Sequence, residues 1–173
     1  MATDSKSILK RVTPSFRKKG NNIFLIGRTS DCISTSDYLE YYHGVKNSPL
    51  PEFDLNFEVK LLGALKSLID NNLVLSAAPV AKGGLFFSLL RSGWSTGLGF
   101  DITAAAETRL DAFLFGEAMG RVVVTVDEDS EDDFVDFLFD KKIPFFTLGH
   151  VTKGEIRIDD ESYGYIDKMT GSI

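Results

Sequence analysis

The chain has 173 residues, with 43% hydrophobic and 12% aromatic content, which describes a folded globular protein with a sizeable core and excludes a disordered one. Its 19 Lys+Arg against 25 Asp+Glu leave a formal charge of −6, a poor basis for binding nucleic acid or an anionic membrane, since both demand clustered cations. The lone Cys32 excludes an internal disulfide and a multi-cysteine zinc site, and with only His43 and His150 available no metal site is expected.

Taken in order, the polar start MATDSKSILKRV lacks the apolar centre of a signal peptide, and no later run approaches the roughly 18–20 apolar residues of a membrane span. A reducing, cytoplasmic compartment is the expectation. Asn21–Gly27, "NNIFLIG", reads as a strand, and "STSDYLEYYHG" as a Ser/Thr-capped aromatic helix stopped at Gly44. After the connector "KNSPLPEFD", Asp54 is a good N-cap for a helix whose apolar positions are Leu55, Val59, Leu62, Leu65 and Ile69, ended by Asn71–Asn72.

"LVLSAA" (Leu73–Ala78) reads as a strand, Gly84–Arg91 as a helix closed by Gly93, Leu98–Ile102 as a strand, and "TRLDAFLF" as a short helix. Arg121–Val126, "RVVVTV", is β-branched almost throughout and bounded by Gly120 and acids, so it predicts a strand, central in the sheet together with Leu73–Ala77. Ser130 is the expected cap of "EDDFVDFLFDKK", with Asp133 in the capping-box position. Two late strands, "FFTLG" and "EIRID", flank the turn at Lys153–Gly154. Alternating strands and helices, closed by a tight strand pair, predict a mixed sheet with helices packed on it. The 14 phenylalanines are expected to dominate its core, in a single domain covering residues 1–173.

Few residues carry chemistry. Gly83–Gly84 at a helix start, beside Lys82, could present amides to a phosphate, or could simply permit a tight turn; no G-x-G-x-x-G or G-x-x-x-x-G-K-[ST] pattern accompanies them. Asp127–Asp133 does not match an EF-hand loop and reads as an acidic helix terminus balanced by Lys141–Lys142. Glu117, between two glycines, is open to three readings: holding a ligand, holding a backbone turn, or pairing with Arg121 at the surface. His150 reads as a satisfied structural histidine and His43 as a helix-end residue, so no nucleophile–His–acid triad assembles.

The ordered set "RVTPSFRKKGNNIFLIG", "DYLEYYHG", "SAAPVAKGGLF", "GLGFDI", "DAFLFGEAMGRVVVTV" and "LGHVTKGEIRI" resembles the C-terminal subdomain of one half of phosphoribosylformylglycinamidine synthase, from about Val12 to Ile158. It is similar also to the C-terminal domain of aminoimidazole ribonucleotide synthetase. The resemblance implies an α+β fold, a mixed β-sheet with helices packed in layers and partly ferredoxin-like. It implies an ATP- and Mg-using amidation in purine biosynthesis, with an N-terminal ATP-binding subdomain and a glutaminase as partners.

The family turn resembles His-Asp-Val-Ser-Asp-Gly-Gly, where this chain has Ala78-Pro79-Val80-Ala81-Lys82-Gly83-Gly84. The family's "GESQGR" stands here as Gly116-Glu117-Ala118-Met119-Gly120-Arg121, and a glycine-glycine-serine as Ser34-Thr35-Ser36. Only Gly83, Gly84 and Glu117 carry over as substrate- or phosphate-binding candidates. No catalytic residue is expected, and the isolated chain is expected to bind no cofactor. Polar groups replaced by Ala, Pro and Met also suit a protein-contact patch built from Ala78, Pro79, Ala81, Lys82, Trp94, Ala118 and Met119. The alternative reading is therefore a protein-binding module, natural or engineered, on this domain.

Overall fold

The structure, a computed structural model, describes residues 11–170. The polar start, residues 1–10, lies outside them. Ile23 to Ile26 are apolar at every position, the pattern of a strand covered on both faces, and β1 (Asn22–Gly27) sits inside a seven-stranded sheet. The other strands are β2 (Ser76–Pro79), β3 (Gly99–Ile102), β4 (Arg121–Val126), β5 (Phe145–Thr152), β6 (Glu155–Ile158) and β7 (Glu161–Tyr165). Their order is β2-β4-β1-β5-β3-β6-β7, with β3 and β6 parallel and the other pairs antiparallel. The α+β fold with a mixed sheet is thus the one expected.

Helices cover both faces. On one, α1 (Leu55–Asp70) and α4 (Glu131–Lys141) place Leu61, Leu68, Phe134 and Leu138 against Phe24, Ile26, Val122 and Val124. On the other, α2 (Gly84–Trp94), α3 (Leu110–Phe115) and α5 (Ile166–Thr170) place Leu85, Leu89, Phe113 and Ile166 against Ile23, Leu25 and Phe100. Successive β1 side chains therefore feed opposite cores, as a two-residue period requires. Phe16, Phe24, Phe100, Phe113 and Phe134 are fully buried. Among the described residues no helix is long and apolar enough to cross a membrane.

Several expectations are corrected. The strand expected over Leu73–Ala78 begins only at Ser76, runs on to Pro79 and lies at the sheet edge, where a proline without an amide hydrogen is tolerated. The "YLEYY" helix is a single π-helical turn, Tyr38–Tyr42. Ser130 makes no side-chain cap bond; a 3-10 turn, Glu128–Ser130, leads straight into α4. Asp54 does cap α1, accepting the Phe57 amide at 3.0 Å. The face of α1 turned to the core is Leu61, Ala64 and Leu68, whereas Leu55, Val59 and Leu62 stand in solvent. Half-buried Leu65 and Ile69 join the two sets, so the apolar band is broad, and spacing alone does not say which edge the sheet covers. β7 and α5 escaped the sequence reading altogether.

Candidate functional site

The strand-to-helix turn after β2 is built around two left-handed glycines, Gly83 (φ +84°) and Gly84 (φ +73°). A Cβ on Gly84 would lie 2.7 Å from the carbonyl oxygen of Leu114 and from the Phe115 backbone. The first turn of α2 thus presses on the end of α3, and only glycine fits.

Glu117 follows α3. Its Oε1 accepts two backbone amides, that of Gly83 at 2.9 Å and that of Asp37 at 2.8 Å. One carboxylate thereby ties the start of α2 to the start of the Tyr38–Tyr42 turn. Lys82 completes the tie: its Nζ lies 3.2 Å from Asp37 Oδ1, and this bond and charge raise the ammonium above the usual lysine range. Arg91 donates to the Lys82 carbonyl at 2.7 Å.

Arg121 is not the surface partner of Glu117. It is 3% exposed, and its Nη2 and Nε donate to the carbonyls of Gly116 at 2.6 Å and Ala118 at 3.1 Å. Burial pulls its guanidinium down to about 10, still fully charged at neutral pH. Of the readings open for Glu117, the geometry gives the backbone turn.

Two clefts flank this brace. One of about 450 Å³ lies between the tyrosine turn and α2, walled by Tyr38, Tyr42, Phe87 and Phe115, with Lys82 and Arg91 at its rim. Tyr38 stacks on Tyr42 at 5.2 Å and on Phe115 at 5.0 Å, and Tyr41 and Tyr42 are 75% and 76% exposed. The other, of about 430 Å³, is walled by Phe53, Phe57, Ala118 and Met119, with Arg28 stacked 4.9 Å over the Phe57 ring.

The expected contact patch is therefore divided. Pro79, Ala81 and Lys82 are exposed at the same end of the β2–β4 pair as Ala118 and Met119, yet Lys82 and Met119 open onto different clefts. Ala78 is buried in the sheet and cannot contribute. Trp94 ends α2, about 15 Å along the helix from Gly84, and lines neither cleft.

At this turn a phosphate would meet the Glu117 carboxylate and no free glycine amide, since Gly83 donates to Glu117 and Gly84 to the Ala81 carbonyl at 2.8 Å. The residues present do not fit a metal-bound triphosphate here; among the described residues no group of three or more His, Cys, Asp or Glu could hold a metal ion. His43 packs edge-on to Tyr38 and Tyr42, each at 5.0 Å. His150, expected as a satisfied structural histidine, is exposed on β5 and lines a shallow pocket with Glu128 and Glu131.

Residues 18–160 match the family model for the AIR synthase related protein, C-terminal domain. The chain belongs to that family. Its relatives include the phosphoribosylformylglycinamidine synthase subunit PurL of Symbiobacterium thermophilum, 35% identical over 144 residues, which are 81% of this chain and 18% of that protein. The solved structure of Thermotoga maritima PurL complexed with FGAR superposes with a TM-score of 0.76 at 14% identity, covering 91% of this chain and 29% of that one. The structure of PurLQS from Thermotoga maritima gives 0.66 at 14%, covering 85% and 24%. These structural likenesses establish the fold. The chain resembles one C-terminal subdomain of PurL and spans about a fifth of the length of the curated relatives it matches, 18% and 23% for two of them.

Asp37, Arg91 and Phe115 were not singled out from the sequence. Asp37 and Phe115 act through partners remote in the chain, and Arg91 through the Lys82 carbonyl one strand-to-helix turn away; no local spacing announces that Asp37 meets Lys82.

Proposed function

We propose that the chain is a non-catalytic C-terminal subdomain of the PurL kind, acting as one domain by packing against an N-terminal ATP-binding subdomain of an ATP-dependent, purine-biosynthetic amidation enzyme fed by a glutaminase. The compartment that suits this role is the cytoplasm. The observation that carries the reading is the double acceptance at Glu117: the one family carboxylate retained at the turn holds two amides, and the glycines beside it have a structural role. General acid–base chemistry needs a group with a suitable pKa within reach of the reacting atom, and a raised lysine ammonium paired to Asp37 is a poor base. The same reading holds whether the changes at Ala78–Lys82 are natural or engineered.

A second reading is favoured by the cleft of stacked aromatics. Exposed tyrosines rimmed by Lys82 and Arg91 suit contact with another protein, for which aromatic and arginine anchors are the usual energetic centre.

The test is calorimetry with ATP and Mg²⁺, followed by mixing with the N-terminal subdomain of a PurL relative. No saturable heat from the chain alone, and co-elution with that subdomain, are expected. Ala78→His, Pro79→Asp, Ala81→Ser and Lys82→Asp together are expected to leave the isolated chain inactive. Amidation of formylglycinamide ribonucleotide by the unmodified chain alone would overturn the reading.

A further inference from the structure

We infer that the cleft between the tyrosine turn and α2 is a binding site for a small aromatic monoanion, its ring held between the aromatic walls and its charge met by Arg91. The two walls are fixed by different parts of the chain. Phe87 on α2 folds back over the turn before it: a Cβ on Gly83 would lie 2.8 Å from its ring, so the glycine seats this wall. Phe86 meets the same ring edge-on at 5.7 Å. On the other side Tyr38 stacks on Phe115 with ring planes 17° apart, and the Asp37 amide just before it is held by Glu117. The cleft of about 450 Å³ between them is therefore preformed. Apolar walls with a few polar groups at the edge, at this volume, are the make-up of a small-molecule site.

The charges at the rim decide what fits. Asp37 is the one acid that lines the cleft, and Lys82 answers it at 3.2 Å. Arg91 donates to the neutral Lys82 carbonyl at 2.7 Å, and among the described residues it makes no ion pair. A carbonyl occupies one of the five N–H donors of a guanidinium and cancels none of its charge. One positive charge is thus left uncompensated beside a set of rings. A single carboxylate on an aromatic body meets both, through a charge-assisted bond to Arg91 and burial of its ring. A cation would be repelled, a neutral ring would leave the guanidinium unanswered, and a triphosphate brings more negative charge than one arginine can balance.

Titration with 2-naphthoate, followed by amide NMR shifts, tests this, with 2-naphthamide as the neutral match of the same shape. Saturable shifts confined to residues around the cleft are expected, and the amide should bind roughly tenfold more weakly than the acid. Arg91→Met should bring the acid down to the affinity of the amide. Lys82→Met combined with Asp37→Asn, which removes the two paired charges together, should preserve the preference. Phe87→Ala should weaken both probes alike, since it removes a wall and no charge. No saturable shift up to roughly 10 mM overturns the inference. So does equal affinity for acid and amide, or a preference that survives Arg91→Met. An N-terminal subdomain of a PurL relative that binds the chain and shuts the probe out overturns it too, because the cleft is then a contact between domains.

Discussion

Glu117, in the connection from α3 to β4, and Arg121, the first residue of β4, do not pair with each other: the carboxylate accepts two amides from outside the connection, and the guanidinium donates to two carbonyls within it. The connection from α3 to β4 is therefore clamped from both sides by charged groups bonded to neutral backbone.

Removing the acceptor strands two amides. Glu117→Ala should destabilise the chain by roughly 2–4 kcal/mol, and Glu117→Gln, which keeps an acceptor oxygen without the charge, by about 1 kcal/mol. Urea midpoints would check both values, and equal costs for the two variants would contradict the two-amide account.

Arg121 gives a pH signature. Its folded value, about 10, lies below the ordinary arginine range, so above about pH 10 the unfolded chain binds more protons and unfolding becomes harder as pH rises. Below about pH 10 both states are protonated and the full desolvation penalty stands. The stability of the wild type relative to Arg121→Met should therefore shift in favour of the wild type between pH 9 and 11. A difference flat across that window would argue against a desolvated guanidinium.

Gly84 and Gly97 share a left-handed backbone, φ +73° and +68°, but only Gly84 abuts another backbone. Gly97→Ala should carry only the conformational penalty, about 1–2 kcal/mol. Gly84→Ala adds a clash with the end of α3 and should exceed it by at least about 2 kcal/mol. Thermal unfolding of the two variants side by side decides whether the clash or the dihedral dominates.

Hydrogen exchange should rank the strands by position. All six residues of β4 are buried between β2 and β1, so its amides should be among the slowest. Those of β2, at the edge, should exchange faster despite the apolar sequence leading into it.

Periodicity read β1 and β4 because their apolar or β-branched runs are uninterrupted and end in glycine or charge; β5 and β6 were marked by the turn at Lys153–Gly154, and β5 runs three residues past Gly149, where its apolar run breaks. It gave α1 its extent and its Asp54 cap, but not which edge of the helix's broad apolar band the sheet covers. It missed β7, whose residues "ESYGY" are mostly exposed and whose pairing rests on β6 through a hairpin with Asp159 and Asp160 at positive φ. Of the site, the glycine turn and Glu117 were visible as types and spacings. The bonds from Glu117 to Asp37 and Gly83 span 80 and 34 residues and follow only from the fold.

β7 closes the sheet, and no described strand pairs with its outer edge. A bare edge is a template on which a like edge from another molecule can add, turning a finite sheet into a growing one. Asp159, Asp160 and Glu161 stand at its beginning beside the half-exposed rings of Tyr163 and Tyr165. At neutral pH those carboxylates repel an approaching copy. Colloidal behaviour, and the conditions under which the chain can be stored or concentrated, then depend on three acids that take no part in the brace around Glu117.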